Sequence, residues 1–445
     1  MTESPKLLSI LGSPVDERAV AQIETCLSDP EAAFGALSAD HHVGYSMPIG
    51  GIVAYRNAIS PSGVGYDIAC GNKAVLTDLK AAAIRPYMAE IMDEVFRQIE
   101  FGMGRANSEA VEHDLFGDPA WDGVPHLKNL QQLAQQQLGT VGSGNHYVDI
   151  FADEADRVWV GVHFGSRGFG HKTCTGFMNL AHGRGFFDKP GGEDMDARAT
   201  VFGLDTAIGQ DYFAAMKLAG RYAYAGRDYV CARVLKILGA GAVEEVHNHH
   251  NFAWEEEHFG ERLVVVRKGA TPAFPGQRCF IGGSMGEDAV IAEGVESEAA
   301  RNLLQSTVHG AGRVMSRTAA RGKARRVRRW QCQNYRRCDY SGAKGGFHKD
   351  PDGPTPRCPE CGHKLRLTEM REQLKPGLIS PEMMHEWLAE RGIVLRGGGT
   401  DEAPQAYKRL PEVLAHHDGA IRILHTLSPM GVAMAGEDVF DPYKD

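Results

Sequence analysis

The sequence predicts a mixed chain, α+β or α/β, interrupted by a small inserted module, and three observations predict it. Short apolar runs ending at glycines recur along the chain. Longer segments with apolar residues at three- and four-residue spacing lie between them, and the composition shifts abruptly between residues 321 and 367. At 445 residues and 43% apolar content, the chain can bury one large core or two ordinary ones.

The apolar runs come first. GYSMPIGGIVAY, GSGNHYVDIF and VWVGVHFGSRGFGH, in a chain of 53 glycines, read as buried strands that end in tight turns carrying polar side chains. Residues 84–98, 130–138 and 210–238 have helical periodicity. In the segment 321–367 aliphatic residues give way to Cys, Arg, Lys, Gly and Pro, the mark of an insertion. A Gly-rich turn, RGGGTDEAPQAYKRL, then leads to a strand-like run at 420–427. The expected division is a main domain at 1–320, the insertion at 321–367 and the rest of the main domain at 368–445.

Bulk properties exclude several classes. No stretch approaches the roughly 20 apolar residues that span a bilayer, and the start, MTESPKLLSILGSPVDE, has no basic and apolar leader pattern, so a cytoplasmic protein without a membrane partner is expected. Nine cysteines in such a chain favour metal binding over disulfides. A net charge of -9 argues against non-specific coating of nucleic acid. The basic stretch RTAARGKARRVRR, 317–329, is the local exception; a solvated helix face and a nucleic-acid contact both account for it.

Three constellations carry chemistry. Cys332, Cys338, Cys358 and Cys361 are spaced C-x5-C, then 19 residues, then C-x2-C, which is the pattern of a closed structural Zn²⁺ site, a zinc ribbon. Its basic flanks and the aromatics Trp330, Tyr335, Tyr340 and Phe347 suit nucleic-acid contact, and a plain scaffold also fits. Asp67, Cys70, His146, His163 and His250 lie at Gly-rich turns or polar stretches beside apolar runs. Their mixed hard and soft donors suit Mn²⁺, Fe²⁺, Co²⁺ or Zn²⁺ better than Mg²⁺ or Ca²⁺, and one bridging thiolate would let them hold two ions. GGSMG and HGAGRVMSR offer backbone N–H groups to phosphates, with His309 placed to attack one.

These segments occur together in one known family. GVGYDIACG, GSGNH, HFGSRGFGH, HHNFAWEEEH, RKGATPAFPG, GGSMG, HGAGRVMSR and DEAPQAYKRL stand in the order seen in RtcB-type RNA ligases, and HHVGYSMPIGG resembles that family's N-terminal motif. The resemblance covers nearly all of the chain outside the insertion. It implies a single α+β catalytic domain and an enzyme that joins RNA 3′-phosphate or 2′,3′-cyclic phosphate ends to 5′-hydroxyl ends, in RNA repair or tRNA-type ligation. It implies two Mn²⁺ ions, one on Asp67, Cys70 and His146, the other on Cys70, His163 and His250. GTP is the implied co-substrate and His309 the residue that becomes guanylated. Asn145, His146, Asn251, Gly283, Ser284, Met285, His309, Gly310, Ala311 and Gly312 match nucleotide-binding positions. The implied partners are broken RNA and an activating protein, either archease or a release-factor-like protein. The same residues also fit a non-ligating RNA-end binder or a metal-dependent cyclic phosphodiesterase or phosphatase.

Three positions depart from the family pattern. Met434 or Ala435, in PMGVAMAGEDVF, stands where a guanine-contacting lysine is usual; Ala289 replaces a serine; Trp254 replaces a lysine.

Overall fold

The computed structural model describes residues 6–191, 194–334, 338, 340–343 and 356–437. Its centre is a mostly antiparallel sheet in the order Arg278–Ile281, Ala289–Gly294, Ile421–Gly436, Tyr147–Asp153, Arg157–His163, Gly71–Lys80, Ala242–His249, with Val394–Gly398 joined in parallel to Ile421–Gly436. The sheet nearly closes on itself. Asn248 Oδ1 accepts from the Phe280 N–H at 3.1 Å and Asn72 Nδ2 donates to the Phe280 carbonyl at 2.9 Å, so side chains of the last two strands reach the first. A five-stranded sheet, Lys6–Ile10, Ala32–His42, Ile49–Tyr55, Glu261–Lys268, Asn251–His258, stands beside it.

Strand Tyr147–Asp153 is buried on both faces, which is why its sequence is mostly apolar, with Asp149 and Asp153 as its buried carboxylates. Val148, Ile150 and Ala152 pack toward helices Met88–Gln98 and Ala207–Leu238, while Phe151 turns to Trp159 and Phe280 on the other side. Helix Ala207–Leu238 is capped by the Thr206 hydroxyl, which accepts from the Gly209 N–H, and ends at Gly239 in the left-handed region, φ 65°. Its inward face carries Ala215, Ala219, Gly220, Ala223 and Gly226, small enough for the helix to lie close to its neighbours; a Cβ at Gly220 would meet the Phe252 ring at 2.8 Å. Among the described residues no helix is long and apolar enough to cross a membrane.

The segments read as helical at 84–98, 130–138 and 210–238 form helices Met88–Gln98, Lys128–Gln137 and Ala207–Leu238. The run at 420–427 is the first half of a longer strand, Ile421–Gly436.

The insertion is a two-stranded ribbon, Gly322–Cys332 paired antiparallel with Leu365–Pro376, with the short strand Ser341–Ala343 on its edge. The pairing carries the ribbon past 367 to Pro376, because the return strand stays paired with the outgoing one back to Gly322, with one register shift at Lys323/Ala324.

Candidate active site

The five mixed donors arrive from four places in the chain, and strand register brings them together. Cys70 immediately precedes strand Gly71–Lys80, and Gly71 pairs with His249, which sets His250 beside it; the His250 N–H donates to the Cys70 carbonyl at 2.8 Å. On its other edge the same strand pairs Asn72 with His163, and His163 in turn pairs with Tyr147, next to His146. Asp67 comes from the loop after helix Pro61–Val64, where Gly65 (φ 88°) makes the turn. Gly165 is required beside it, since a Cβ there would lie 2.2 Å from Asp67 Oδ1.

Two three-donor groups result, Asp67–Cys70–His146 and Cys70–His163–His250, each with its ligand atoms within 4.8 Å of one another. Cys70 Sγ lies 3.5 Å from His146 Nε2 and 3.2 Å from His163 Nε2, and His146 Nε2 lies 3.0 Å from Asp67 Oδ2. The Val141 carbonyl lies 3.0 Å from His146 Nδ1, and a proton on that nitrogen would leave Nε2 for an ion. Burial, followed by the charge of neighbouring imidazoles, pushes His163 and His250 well below the usual histidine range, which keeps them neutral, the form that ligates. His250 Nδ1 is buried without a partner. This set fits two ions bridged by one thiolate.

A cavity of about 280 Å³ opens over these donors. It is lined by all five, by His309 and by every other predicted nucleotide-binding position: Asn145, Asn251, Gly283, Ser284, Met285, Gly310, Ala311 and Gly312. Some of these are engaged with the protein. Asn251 Oδ1 accepts from the Gly269 N–H at 2.7 Å and its Nδ2 donates to the Asp67 carbonyl at 3.3 Å, while Ser284 donates to Glu287 at 2.8 Å.

Three features of the site are absent from the sequence-based list. Asp40, on strand Ala32–His42, is fully buried; its Oδ2 accepts from His309 Nδ1 at 2.6 Å and from the His309 backbone N–H at 3.2 Å. Burial would raise this carboxyl, but His309 and the Ser38 hydroxyl override that and hold it at about 2. With Nδ1 held by Asp40, the Nε2 edge of His309 is turned away from the carboxylate, and the ring sits 5.0 Å from that of His250. The second feature is a pair of cations on the cavity wall, Arg313 and Arg317, sharing one buried carboxylate, Glu402, at 3.1 and 2.8 Å. Guanidinium groups on a cavity wall suit phosphate. The third is Arg227, completely buried on helix Ala207–Leu238.

At one end of the cavity Tyr147, Asp149, Val432 and Met434 share a face of adjacent strands, with Val432 opposite Asp149 and Met434 opposite Tyr147. Among the described residues the Tyr147 hydroxyl and Asp149 Oδ1 have no partner, and burial pushes the Asp149 carboxyl well above its usual range. Of the departures from the family pattern, Met434 lines the cavity; Trp254 stacks on Arg267 at 4.9 Å and Ala289 is buried in its strand.

At the tip of the ribbon Cys332, Cys338, Cys358 and Cys361 converge, with Sγ separations of 3.3 Å for Cys332–Cys361 and 3.6 Å for Cys338–Cys358. Four thiolates about 2.3 Å from one Zn²⁺ in a tetrahedron lie about 3.8 Å apart, so the quartet fits that ion. Trp330 and Tyr340, expected to be available for bases, pack against the cysteines as the module's small core. Tyr335 and Phe347 lie outside the described residues.

The family model described as "tRNA-splicing ligase RtcB" matches residues 32–124 and 118–337. The tRNA-splicing ligase RtcB of Archaeoglobus fulgidus is 30% identical over 505 aligned positions, covering 97% of this chain and 93% of that protein. The RNA-splicing ligase RtcB of Escherichia coli K12 is 33% identical over 312, covering 64% and 75%, and the Thermococcus kodakarensis tRNA-splicing ligase RtcB is 28% identical over 477, covering 88% and 86%.

Proposed function

This chain belongs to the RtcB family of RNA ligases, and on that premise we propose that it joins an RNA 3′-phosphate end to a 5′-hydroxyl end through a guanylated His309. The observation that carries the proposal is the Asp40–His309 pair: the buried carboxylate fixes the imidazole with Nε2 free at the edge of the two three-donor groups.

In the first step His309 Nε2 attacks the α-phosphorus of GTP. An N–P bond forms, the bond to the β-phosphate oxygen breaks and pyrophosphate leaves. An oxygen of the RNA 3′-phosphate then takes the guanylate from the nitrogen, and the 5′-hydroxyl attacks the activated 3′-phosphorus, closing the phosphodiester and releasing GMP. A 2′,3′-cyclic end is first opened by water to the 3′-phosphate. Asp40 accepts the hydrogen bond from Nδ1–H throughout and stabilises charge on the ring as the N–P bond forms. Arg313 and Arg317, braced by Glu402, hold phosphate oxygens. Asp67, Cys70, His146, His163 and His250 hold two divalent ions, Mn²⁺ in this proposal, which when bound neutralise phosphate charge.

The test is covalent labelling. Protein incubated with Mn²⁺ and α-labelled GTP becomes labelled, and His309→Ala does not. Absence of label in the unaltered protein with every nucleotide overturns the proposal; ends that are hydrolysed but never joined indicate a phosphodiesterase.

A further inference from the structure

The ribbon is a free-standing arm. Its strands span Gly322–Cys332 and Leu365–Pro376, so at about 3.3 Å per residue it reaches about 35 Å. Among the described residues its extensive contacts are with its own strands and with one short helix at its root, Arg317–Arg321, and its small core is made of its own residues. A scaffold for the catalytic body would pack along that body. This one is pinned at the root, where Leu378 and Ile379 donate backbone hydrogen bonds to the Ala319 and Ala320 carbonyls.

That root is part of the active-site wall. Arg317 lines the cavity, and Ala320 packs with Tyr147, Met285 and Met434 behind it. The arm's charge is opposite to that of the rest of the protein: residues 317–376 hold sixteen Lys and Arg against six Asp and Glu, in a chain of net charge -9. Lys323, Arg325, Arg328 and Arg366 are exposed on its strands, and Lys364 is exposed just before the second one. A bare two-stranded ribbon is marginal in water. Two devices hold this one: the four-thiolate cluster at the tip and the Glu372 bridge to Arg325 and Arg329 at 2.7 and 2.5 Å.

We infer that the arm binds the RNA backbone one arm's length from the break, leaving the reacting ends to the cavity. The inference rests on the ligase reading for its substrate, and the contact is electrostatic and indifferent to base sequence. Because Gly322 and Pro376 are paired neighbours, the arm can be excised between them and closed with a short Gly-Ser turn. A second variant, with Lys323, Arg328, Lys364 and Arg366 changed to Gln, keeps the cysteines and the Glu372 bridge. For both, covalent labelling of His309 and joining of oligonucleotides too short to reach the tip stay within twofold, while the KM for long structured RNA rises at least tenfold at low salt. Binding of uncleaved long RNA, read without any joining, shows a shallower dependence on salt concentration. Unchanged KM and unchanged salt dependence overturn the arm as an RNA contact, including the case in which it docks a protein. Loss of labelling in the unaltered protein would instead strike the ligase reading.

A different observation carries a second inference. Arg227 has no carboxylate within ion-pairing distance among the described residues. Its guanidinium donates to the Ala69 carbonyl at 3.1 Å and the Phe164 carbonyl at 2.6 Å, and bonds His247 Nε2 at 2.8 Å and His249 Nδ1 at 2.9 Å. Ala69, Phe164 and His249 are the chain neighbours of Cys70, His163 and His250, the three donors of one group. Ala69 is held in the left-handed region, φ 60°, a strained state for alanine that needs such a clamp.

The geometry assigns Arg227 as the positioning residue of the Cys70–His163–His250 ion site. Titration with Mn²⁺ should find two ions bound by the unaltered protein. In Arg227→Met the Asp67–Cys70–His146 ion stays within threefold of its affinity and the other weakens at least tenfold; Arg227→Lys falls between. Equal affinities in both variants, or failure of both to fold, overturn the assignment, whereas an unaltered protein that binds no ions overturns the metal reading itself.

Discussion

Cys70 and the quartet at the ribbon tip present the same thiol in opposite settings. Cys70 is buried between donors drawn from distant strands, and its site mixes a carboxylate, imidazoles and a single sulfur, leaving room for a cavity above. The quartet is built from one local stretch, all sulfur, closed on itself, with Cys361 exposed. The first arrangement leaves coordination positions for phosphate oxygens; the second has none. The type of ligand therefore says little about role, and what stands over it says more.

Four changes break or sharpen that comparison. Cys70→Ala removes the donor common to both groups and should lower joining on the order of 10³-fold or more, while zinc in the ribbon, counted by elemental analysis, stays at one per chain. Asp40→Asn leaves the donors in place but loses the anchor of the His309 tautomer; labelling by α-labelled GTP should slow about 10²- to 10⁴-fold, with Mn²⁺ affinity unaltered. Brief dialysis against a chelator should strip the open centre first, abolishing joining until Mn²⁺ is returned, with the ribbon zinc retained; simultaneous loss of both would remove the distinction between open and closed sites. Met434→Lys would set an amine on the face shared with the Asp149 carboxyl and should lower the KM for GTP about tenfold, roughly 1.4 kcal/mol. An unchanged KM would place the base elsewhere.

Much of the catalytic centre was legible because its residues sit in glycine-rich turns whose chemistry shows in one dimension. Cys70 is followed by Gly71, where a Cβ would lie 2.2 Å from the Asn248 carbonyl oxygen, and Gly165 is required in the same way against Asp67, whereas His250, in NHHNF, has no glycine beside it. Asp40 was not legible: in AAFGALSADHH it reads as the polar end of a strand, and its burial comes only when His309, 269 positions away, folds over it. Arg227 left a fainter signal. It falls in phase with Ala219, Ala223, Val230 and Val234 on the inward face of its helix, a core position held by a cation. The end of the insertion was misplaced because LRLTEMREQLKP carries little change in composition, and only its pairing with Gly322–Cys332 marks it as part of the ribbon.

The nearly closed sheet has a consequence for how the protein acquires its metals. Cys70 and His250 are 180 positions apart, and they meet only when Gly71–Lys80 has paired with Ala242–His249. The ribbon cysteines span 29 positions and can gather as soon as their hairpin forms. Local closure precedes long-range pairing during folding, so zinc can be captured by a chain that is still immature, whereas the catalytic ions must wait for one whose sheet is complete. A partly folded chain could thus gather its four ribbon cysteines around an ion before Cys70 and His250 have met.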